Sequence, residues 1–123
     1  MLEKIEILED GVVAVFSGVV TTKELIESND QLLSHLEKFQ YRYQLVCFND
    51  IEDFVISAEE MRQAALRDVR AFERNPVAKV AIVSDSKLIY GLARMYDAFA
   101  YESTAETEIF ETLDEAEQWL AKK

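Results

Sequence analysis

Short apolar runs alternate along the chain with longer segments whose apolar residues recur at helical spacing, and this pattern predicts the elements. Leu2 to Leu8 mixes apolar and charged residues as an edge strand does, and the following Asp10-Gly11 suits a two-residue hairpin turn. Val12 to Phe16 is apolar throughout, which is typical of a central strand covered on both faces. The chain is therefore predicted to open with a hairpin whose second strand is buried.

Four helices are predicted from helical spacing and from capping signals. Three of them begin with a hydroxyl residue followed three positions later by Glu, a capping box that satisfies two free amides of the first turn. These boxes are Thr21 to Glu24, Ser57 to Glu60 and Thr112 to Glu115. The predicted helices are 22–39, 57–75, 87–99 and 112–120, and the strands predicted between them are 45–48, 77–84 and 107–110.

The elements follow one another in the order ββαβαβαβα. Because a helix follows each strand after the hairpin, we expect right-handed crossovers between parallel strands. We predict a single α/β domain over residues 1–123, with a mixed, mostly parallel sheet, an N-terminal hairpin and helices packed on the sheet. A chain of 123 residues is long enough to bury such a core without disulfides or metals.

The charge and the cysteine content narrow the environment and the partners. The formal net charge of −11 would repel the phosphates of nucleic acid, and it disfavours broad contact with anionic lipid. The single cysteine, Cys47, excludes an internal disulfide, which fits a reducing compartment. The start of the chain lacks the basic segment of a signal peptide, and the longest apolar run, Gly11 to Val20, is too short to cross a bilayer. We therefore expect a soluble, cytoplasmic protein that binds no nucleic acid.

Catalysis requires a base, a nucleophile or a metal cluster whose members lie within reach of one another. The single histidine, His35, has no cysteine or second histidine near it in the sequence to complete a zinc site. Cys47 lies in an apolar run and is expected to be a small core residue. The chain contains neither a Gly-x-Gly-x-x-Gly motif nor a P-loop. We therefore predict that the protein is not an enzyme and uses no cofactor or metal ion.

Two aspartates, Asp50 and Asp85, follow predicted parallel strands. Ligands of open α/β sheets bind outside the carboxyl ends of the strands, where the strand order reverses, so the two side chains could face one crevice. The alternative is that Asp85 or Ser86 caps the helix 87–99, and we favour it because both residue types are common N-caps.

Three segments near the C-terminus carry a resemblance to a known family: Lys79 to Asp85, Leu92 to Tyr96, and Ile109 to Leu120. In the last, a short strand leads directly into a Glu-Ala-x-x-Trp-Leu helix. Together with the element order, these segments resemble the SpoIIAA-like family, small bacterial proteins that share their fold with STAS domains. Members resemble both anti-sigma-factor antagonists and CRAL-TRIO lipid carriers. The resemblance therefore implies a STAS-like fold, with membrane association and binding of a small apolar ligand as expected properties.

Ser57 lies near the place of the serine that is phosphorylated in anti-sigma-factor antagonists. Those proteins carry it in an Asp-Ser-x-Gly turn, whereas the segment from Asp53 to Glu60 contains neither a glycine nor an Asp-Ser pair. Ser57 is therefore a candidate phospho-site through the resemblance alone, and its spacing to Glu60 favours a role as an N-cap.

The helix 87–99 carries apolar residues over an arc of roughly 220°, about twice the width that one sheet contact requires. The apolar surface beyond one sheet contact is either buried by neighbouring helices, open to a ligand cavity, or paired with a second subunit through residues 87–101.

The predicted loop 54–56 is a hydrophobic staple into the core, a lid over a ligand, or an edge that dips into a membrane. The residues expected to contact an apolar or lipid-like ligand are Phe54, Val55, Ile56, Ile89, Leu92 and Tyr96.

Arg67, Arg70 and Arg74 share one face of the helix 57–75. This face is either a solvated surface balanced by nearby glutamates or a contact surface for anionic headgroups or an acidic partner, since arginine suits bidentate contact with phosphate.

Two hypotheses for the function of the protein follow. The first is a non-enzymatic module that holds a small apolar or lipid-like ligand and associates peripherally with a membrane or a partner. The second is a STAS-like regulatory domain that works through protein contacts, with or without a switch at Ser57.

Overall fold

The computed structural model of the chain describes residues 1–38, 41–74, 76–100, 103 and 105–122, and for residues 33 and 35–38 it describes the backbone alone. Within these ranges the chain forms five strands and four helices, and their order confirms the predicted ββαβαβαβα. The elements are β1 (Leu2–Ile7), β2 (Gly11–Thr21), α1 (Thr22–Lys38), β3 (Tyr43–Val55), α2 (Ala58–Arg74), β4 (Lys79–Val83), α3 (Lys87–Phe99), β5 (Glu106–Phe110) and α4 (Leu113–Ala121).

The five strands form one sheet in which the spatial order equals the order along the chain, β1-β2-β3-β4-β5. The strands β1 and β2 are antiparallel, and every later pair is parallel, so the predicted mixed and mostly parallel sheet is confirmed. Right-handed crossovers that all step in one direction place their helices on one face of a sheet. The helices α1, α2 and α3 therefore lie together on one face, and α4 packs on the other.

The strand β2 supplies side chains to both layers. Val12, Ala14 and Phe16 join the core under α1 to α3, whereas Val13 packs with residues of α4 such as Leu120. This alternation follows from the period of two in an extended strand. It explains why the run 12–16 is apolar without interruption, because every position faces a hydrophobic layer.

The hairpin between β1 and β2 has a three-residue connection, residues 8–10, where the sequence predicts a two-residue turn at Asp10-Gly11. The Leu8 amide donates to the Gly11 carbonyl across it at 2.8 Å. Gly11 itself opens β2, and a Cβ placed there would clash with the ring of Tyr43 on β3. The close approach of this ring, and not the turn, favours glycine at position 11.

The strand β3 is much longer than predicted, and this corrects the interpretation of residues 49–56. The acidic segment 49–53 and the first two residues of the predicted loop 54–56 continue the strand alongside the second half of β2. Gly18 and Asp50 take positive φ angles of 66° and 51° where the register of the two strands shifts. Charged residues on exposed positions hid the strand, because the segment lacks the apolar run expected of a central strand.

The helix α3 is covered mainly by the sheet and by α2. Ile89 and Ala93 are buried against the sheet, and Tyr96 and Phe99 pack against a small buried cluster that α2 supplies in part. Leu88 remains 48% exposed. Burial by a neighbouring helix thus accounts for much of the surplus apolar surface, and a homodimer through residues 87–101 stays a prediction.

Among the described residues, none of the helices combines the length and the apolar character that crossing a membrane requires.

Candidate functional site

A cavity of about 120 Å³ lies between the sheet and the layer of α1, α2 and α3. Its floor includes Phe16 of β2 and Val46 of β3, and its roof includes Leu25 of α1. Ala64 of α2 and Ala93 of α3 also line it, and each presents only a methyl group to the space. The space lies at these two alanines, and larger apolar side chains of the same helices, such as Ile89 and Leu92, line the rest of it.

Three phenylalanines form one wall of the cavity. The rings of Phe16 and Phe48 stack with their centroids 5.2 Å apart, and Phe48 meets Phe54 edge to face at 5.7 Å. These separations fall in the range favoured by aromatic pairs, so each ring holds the next in place. The wall is preformed by strands β2 and β3, which gives the cavity one rigid side.

A buried hydrogen-bonded cluster joins the three helices at the cavity. Asp68 of α2 is buried, and one of its carboxylate oxygens accepts a hydrogen bond of 2.7 Å from the amide of Asn29 on α1. The other oxygen accepts from the hydroxyl of Tyr96 on α3. All three residues line the cavity, so a single carboxyl group ties together the helices that form its roof.

Burial controls the protonation of this cluster. Burial raises the pKa of Asp68, and the hydrogen bonds from Tyr96 and Asn29 together with the charge of Arg67 reverse only part of that rise. Burial also raises the pKa of Tyr96 well above its usual value, with a further rise from the neighbouring Asp68 carboxylate. Tyr96 therefore stays a protonated donor, and Asp68 is easier to protonate than an exposed aspartate.

Gln44 of β3 is a second buried polar group at the cavity. Its side chain lines the space and the residue is only 4% exposed. Among the residues that the structure describes, its Nε2 atom has no hydrogen-bond partner.

Sequence reasoning missed both Gln44 and Asp68, although each leaves a signal. Gln44 is a polar residue at an inward position of a buried strand, directly before the run 45–48. Asp68 falls on the apolar face of α2, between Ala65 and Phe72 at helical spacing. A polar residue at a core position of an element is the signal that could have found them.

The structure brings together four of the six residues predicted to contact a ligand. Phe54, Ile89, Leu92 and Tyr96 all line the cavity. Val55 lies outside it and is 53% exposed, because successive residues of the strand point to opposite faces. Ile56 packs against the core and does not line the cavity, so the segment 54–56 does not act as one unit. Contact of any of them with a ligand stays a prediction.

One residue of the predicted arginine face of α2 already forms an ion pair within the protein. Arg67 lies at the rim of the cavity and donates to the carboxylate of Asp30 on α1. Arg70 and Arg74 are exposed on the same helix. Contact of the three arginines with an anion stays a prediction, and Arg67 would have to leave Asp30 to take part in it.

Ser57 is a capping residue, as its spacing predicts. Its hydroxyl accepts a hydrogen bond from the Glu60 amide at 3.1 Å, and Glu60 in turn accepts from the Ser57 amide at 2.9 Å. These reciprocal bonds form a complete capping box at the start of α2. The phospho-site at Ser57 stays a prediction.

The remaining residues considered from the sequence occupy separate places. Cys47 is buried on the sheet face under α4, and burial raises the pKa of its thiol, as does the Glu117 carboxylate. Ser86, and not Asp85, caps α3, since its hydroxyl accepts from the Ile89 amide at 3.4 Å. The side chain of His35 lies outside the described residues.

Replacing Asp68 with Asn should change how stability depends on pH. The folded-state pKa of Asp68 is raised, so the wild type loses stability as the pH rises from the unfolded-state pKa of about 3.9 through the raised folded-state pKa. The Asp68→Asn variant is neutral throughout, so its unfolding free energy should improve relative to the wild type over this interval. Urea unfolding at several pH values between about 4 and 7 measures the difference.

Asp85→Asn is the matched control, because it makes the same change at an exposed position. A pH dependence altered equally by both substitutions would contradict a special role for the buried carboxyl group.

The comparisons with known proteins agree with this architecture. The model of the SpoIIAA-like family matches residues 12–121. A crystal structure of an uncharacterised protein of the DUF3478 family from Shewanella loihica PV-4, described as having a SpoIIAA-like fold, is similar with a TM-score of 0.61. The two chains are 20% identical, over 98% of this chain and 93% of the other. No curated protein matches the chain. The structural likeness shows the fold, and the match over most of the chain shows that the protein belongs to the SpoIIAA-like family.

Proposed function

We propose that the protein is a non-enzymatic binding module that holds a small apolar ligand in the cavity between the sheet and α1 to α3. The observation that carries this proposal is the cavity of about 120 Å³, lined mostly by apolar side chains. Ligand sites are typically concave and apolar with a few placed polar groups. Asp68, Tyr96 and Gln44 are such groups here.

The volume also limits the size of the ligand. An enclosed apolar cavity of about 150 Å³ holds benzene, and this cavity of about 120 Å³ is partly open to solvent, so a ligand of about six to eight non-hydrogen atoms suits it. A long acyl chain would leave most of its length outside this volume. The small apolar ligand is therefore favoured over the lipid-like one for the conformation described.

Filling the cavity should weaken binding of a ligand there. Ala93→Leu places a larger side chain in the cavity, and we expect it to weaken binding of toluene at least ten-fold in a titration followed by NMR. The matched control is Ala98→Leu, the same change at an exposed position of the same helix. Equal affinity of both variants for toluene, or no binding of toluene to the wild type, would argue against the cavity as the site.

Peripheral contact with an anionic membrane is a second part of the proposal. Its support is the exposure of Arg70 and Arg74 on one face of α2, against a net charge of −11 for the whole chain. A cytoplasmic protein would meet the cytoplasmic leaflet of the membrane, and the anionic lipids of that leaflet attract such local basic groups.

Removing these two charges should weaken binding to vesicles that contain phosphatidylserine. At about 1 kcal/mol per arginine, the Arg70→Gln, Arg74→Gln double variant should bind about thirty-fold more weakly in a sedimentation assay. Arg62→Gln is the control, because Arg62 lies on the same helix and already pairs with Glu59. The control removes one charge and the double variant two, so a loss of binding free energy half as large in the control would show that only total charge matters.

The STAS-like regulatory alternative is supported by the family membership and by the exposure of Ser57. A phosphate on Ser57 would add negative charge beside Glu59 and Glu60 at the start of α2. Under this alternative Ser57→Glu should alter the capture of protein partners relative to Ser57→Ala.

The control for this experiment is stability, because loss of the cap costs about 1 kcal/mol. Ser57→Asp keeps a capping side chain and adds a negative charge, so its difference from the wild type reports the charge without loss of the cap. Identical partners captured by the Glu, Ala and Asp variants would remove the switch from the alternative.

A further inference from the structure

The amide of Gln44 is a polar group that the fold leaves unused at the cavity. Gln44 lies on β3 between its register partners Val12 of β2 and Val80 of β4, on the sheet face that packs against α1 to α3. It is 4% exposed, and within the described part of the chain its Nε2 atom donates to no acceptor. A buried donor without an acceptor loses its hydration and gains nothing in return.

We infer that the cavity binds a neutral carbonyl compound, an aldehyde, ketone, ester or amide of about six to eight non-hydrogen atoms, whose oxygen accepts a hydrogen bond from Gln44 Nε2. This inference rests on the proposed function and names the class of ligand. The carbonyl oxygen satisfies the amide, and the apolar remainder of the ligand fills the space beneath Leu92 and Ala93.

The charges at the cavity favour a neutral ligand over a carboxylate. Of the described lining residues only Arg67 is basic, and its guanidinium group is bound to Asp30 at the surface. Asp68 is the acidic group of the lining, and whether protonated or ionised it offers no countercharge to an anionic ligand. An unpaired carboxylate in an apolar cavity also loses its hydration. A fatty-acid anion is therefore disfavoured.

The polar groups of the cavity divide into used and unused ones. The carboxyl oxygens of Asp68 already accept from Asn29 and Tyr96, and the hydroxyl of Ser28 donates to the Leu25 carbonyl at 3.0 Å. These bonds serve the helical layer itself. Gln44 is on the opposite wall, in the sheet, so a ligand carbonyl would be anchored to the rigid side of the cavity.

Three probes of similar size separate the contributions of the hydrogen bond, the apolar contacts and the charge to binding. They are 2-hexanone, 2-methyl-1-hexene, in which a methylene group replaces the carbonyl oxygen, and hexanoate. Each is titrated into the wild type and into Gln44→Met, which keeps an unbranched side chain without a donor. Dissociation constants come from NMR titrations of the full chain.

We expect Gln44→Met to weaken binding of 2-hexanone about ten-fold and to leave binding of 2-methyl-1-hexene unchanged or tighter, because only the ketone loses a hydrogen bond. Hexanoate should bind the wild type more weakly than 2-hexanone at neutral pH. If a water molecule, and not the ligand, accepts the hydrogen bond of Gln44 Nε2, the substitution should change the dissociation constants of ketone and alkene by the same factor. That result would overturn the inference and leave the proposed function intact. Failure of both probes to bind the wild type would overturn both.

A measurement on the wild type alone covers the case in which Gln44→Met does not fold. The side-chain amide signal of Gln44 in a ¹⁵N-labelled protein should shift on addition of 2-hexanone, and should shift much less with 2-methyl-1-hexene. Equal shifts with both probes would contradict a hydrogen bond between Gln44 and the carbonyl group.

Discussion

The packing of β2 against two hydrophobic layers at once is the constraint on which the rest of the structure depends. The side chains of Val12, Ala14 and Phe16 support the three-helix layer, and Val13 between them supports α4. The same strand pairs with β1 on one side and with β3 on the other. A substitution that shifted its register by one residue would exchange the two sets of side chains and disturb both layers together. The cavity inherits its rigid floor from this strand and from β3.

The side chains of α1, α2 and α3 do not fill all of the space above this floor. Small residues such as Ala64 and Ala93 face the sheet where larger ones would close the space, and a buried carboxyl group holds the helices to one another. The contacts between helices at Asp68 are therefore polar and directional, whereas the contacts of the helices with the sheet are apolar and incomplete. The hydrogen bonds at Asp68 thus link the three helices beside a space that their apolar side chains leave above the sheet.

The sequence predicted the element order and most helix ends because those depend on neighbours along the chain. The capping residues Ser57 and Thr112 bond to Glu60 and Glu115 three positions later, a relation visible in the sequence itself. The second half of β3 was missed because its strand character comes from pairing with β2 and not from its own acidic residues. Gln44 and Asp68 were missed for a related reason: a polar residue at a core position acquires meaning only when the space in front of it is known. Four of the predicted ligand contacts do line that space, since bulky apolar residues on α3 and β3 had to face the sheet side.

The sequential strand order has a consequence for where this fold can keep a site. In doubly wound sheets, the strand order reverses at one point, helices diverge to opposite faces there, and a crevice opens at the carboxyl ends of the strands. The order β1-β2-β3-β4-β5 never reverses, and the three crossover helices stay side by side on one face. A crevice between Asp50 and Asp85 would require such a reversal, and this sheet has none. Space for a ligand must instead come from the thickness between layers, which makes side-chain volume, rather than chain topology, the property that evolution would adjust to change what this protein holds.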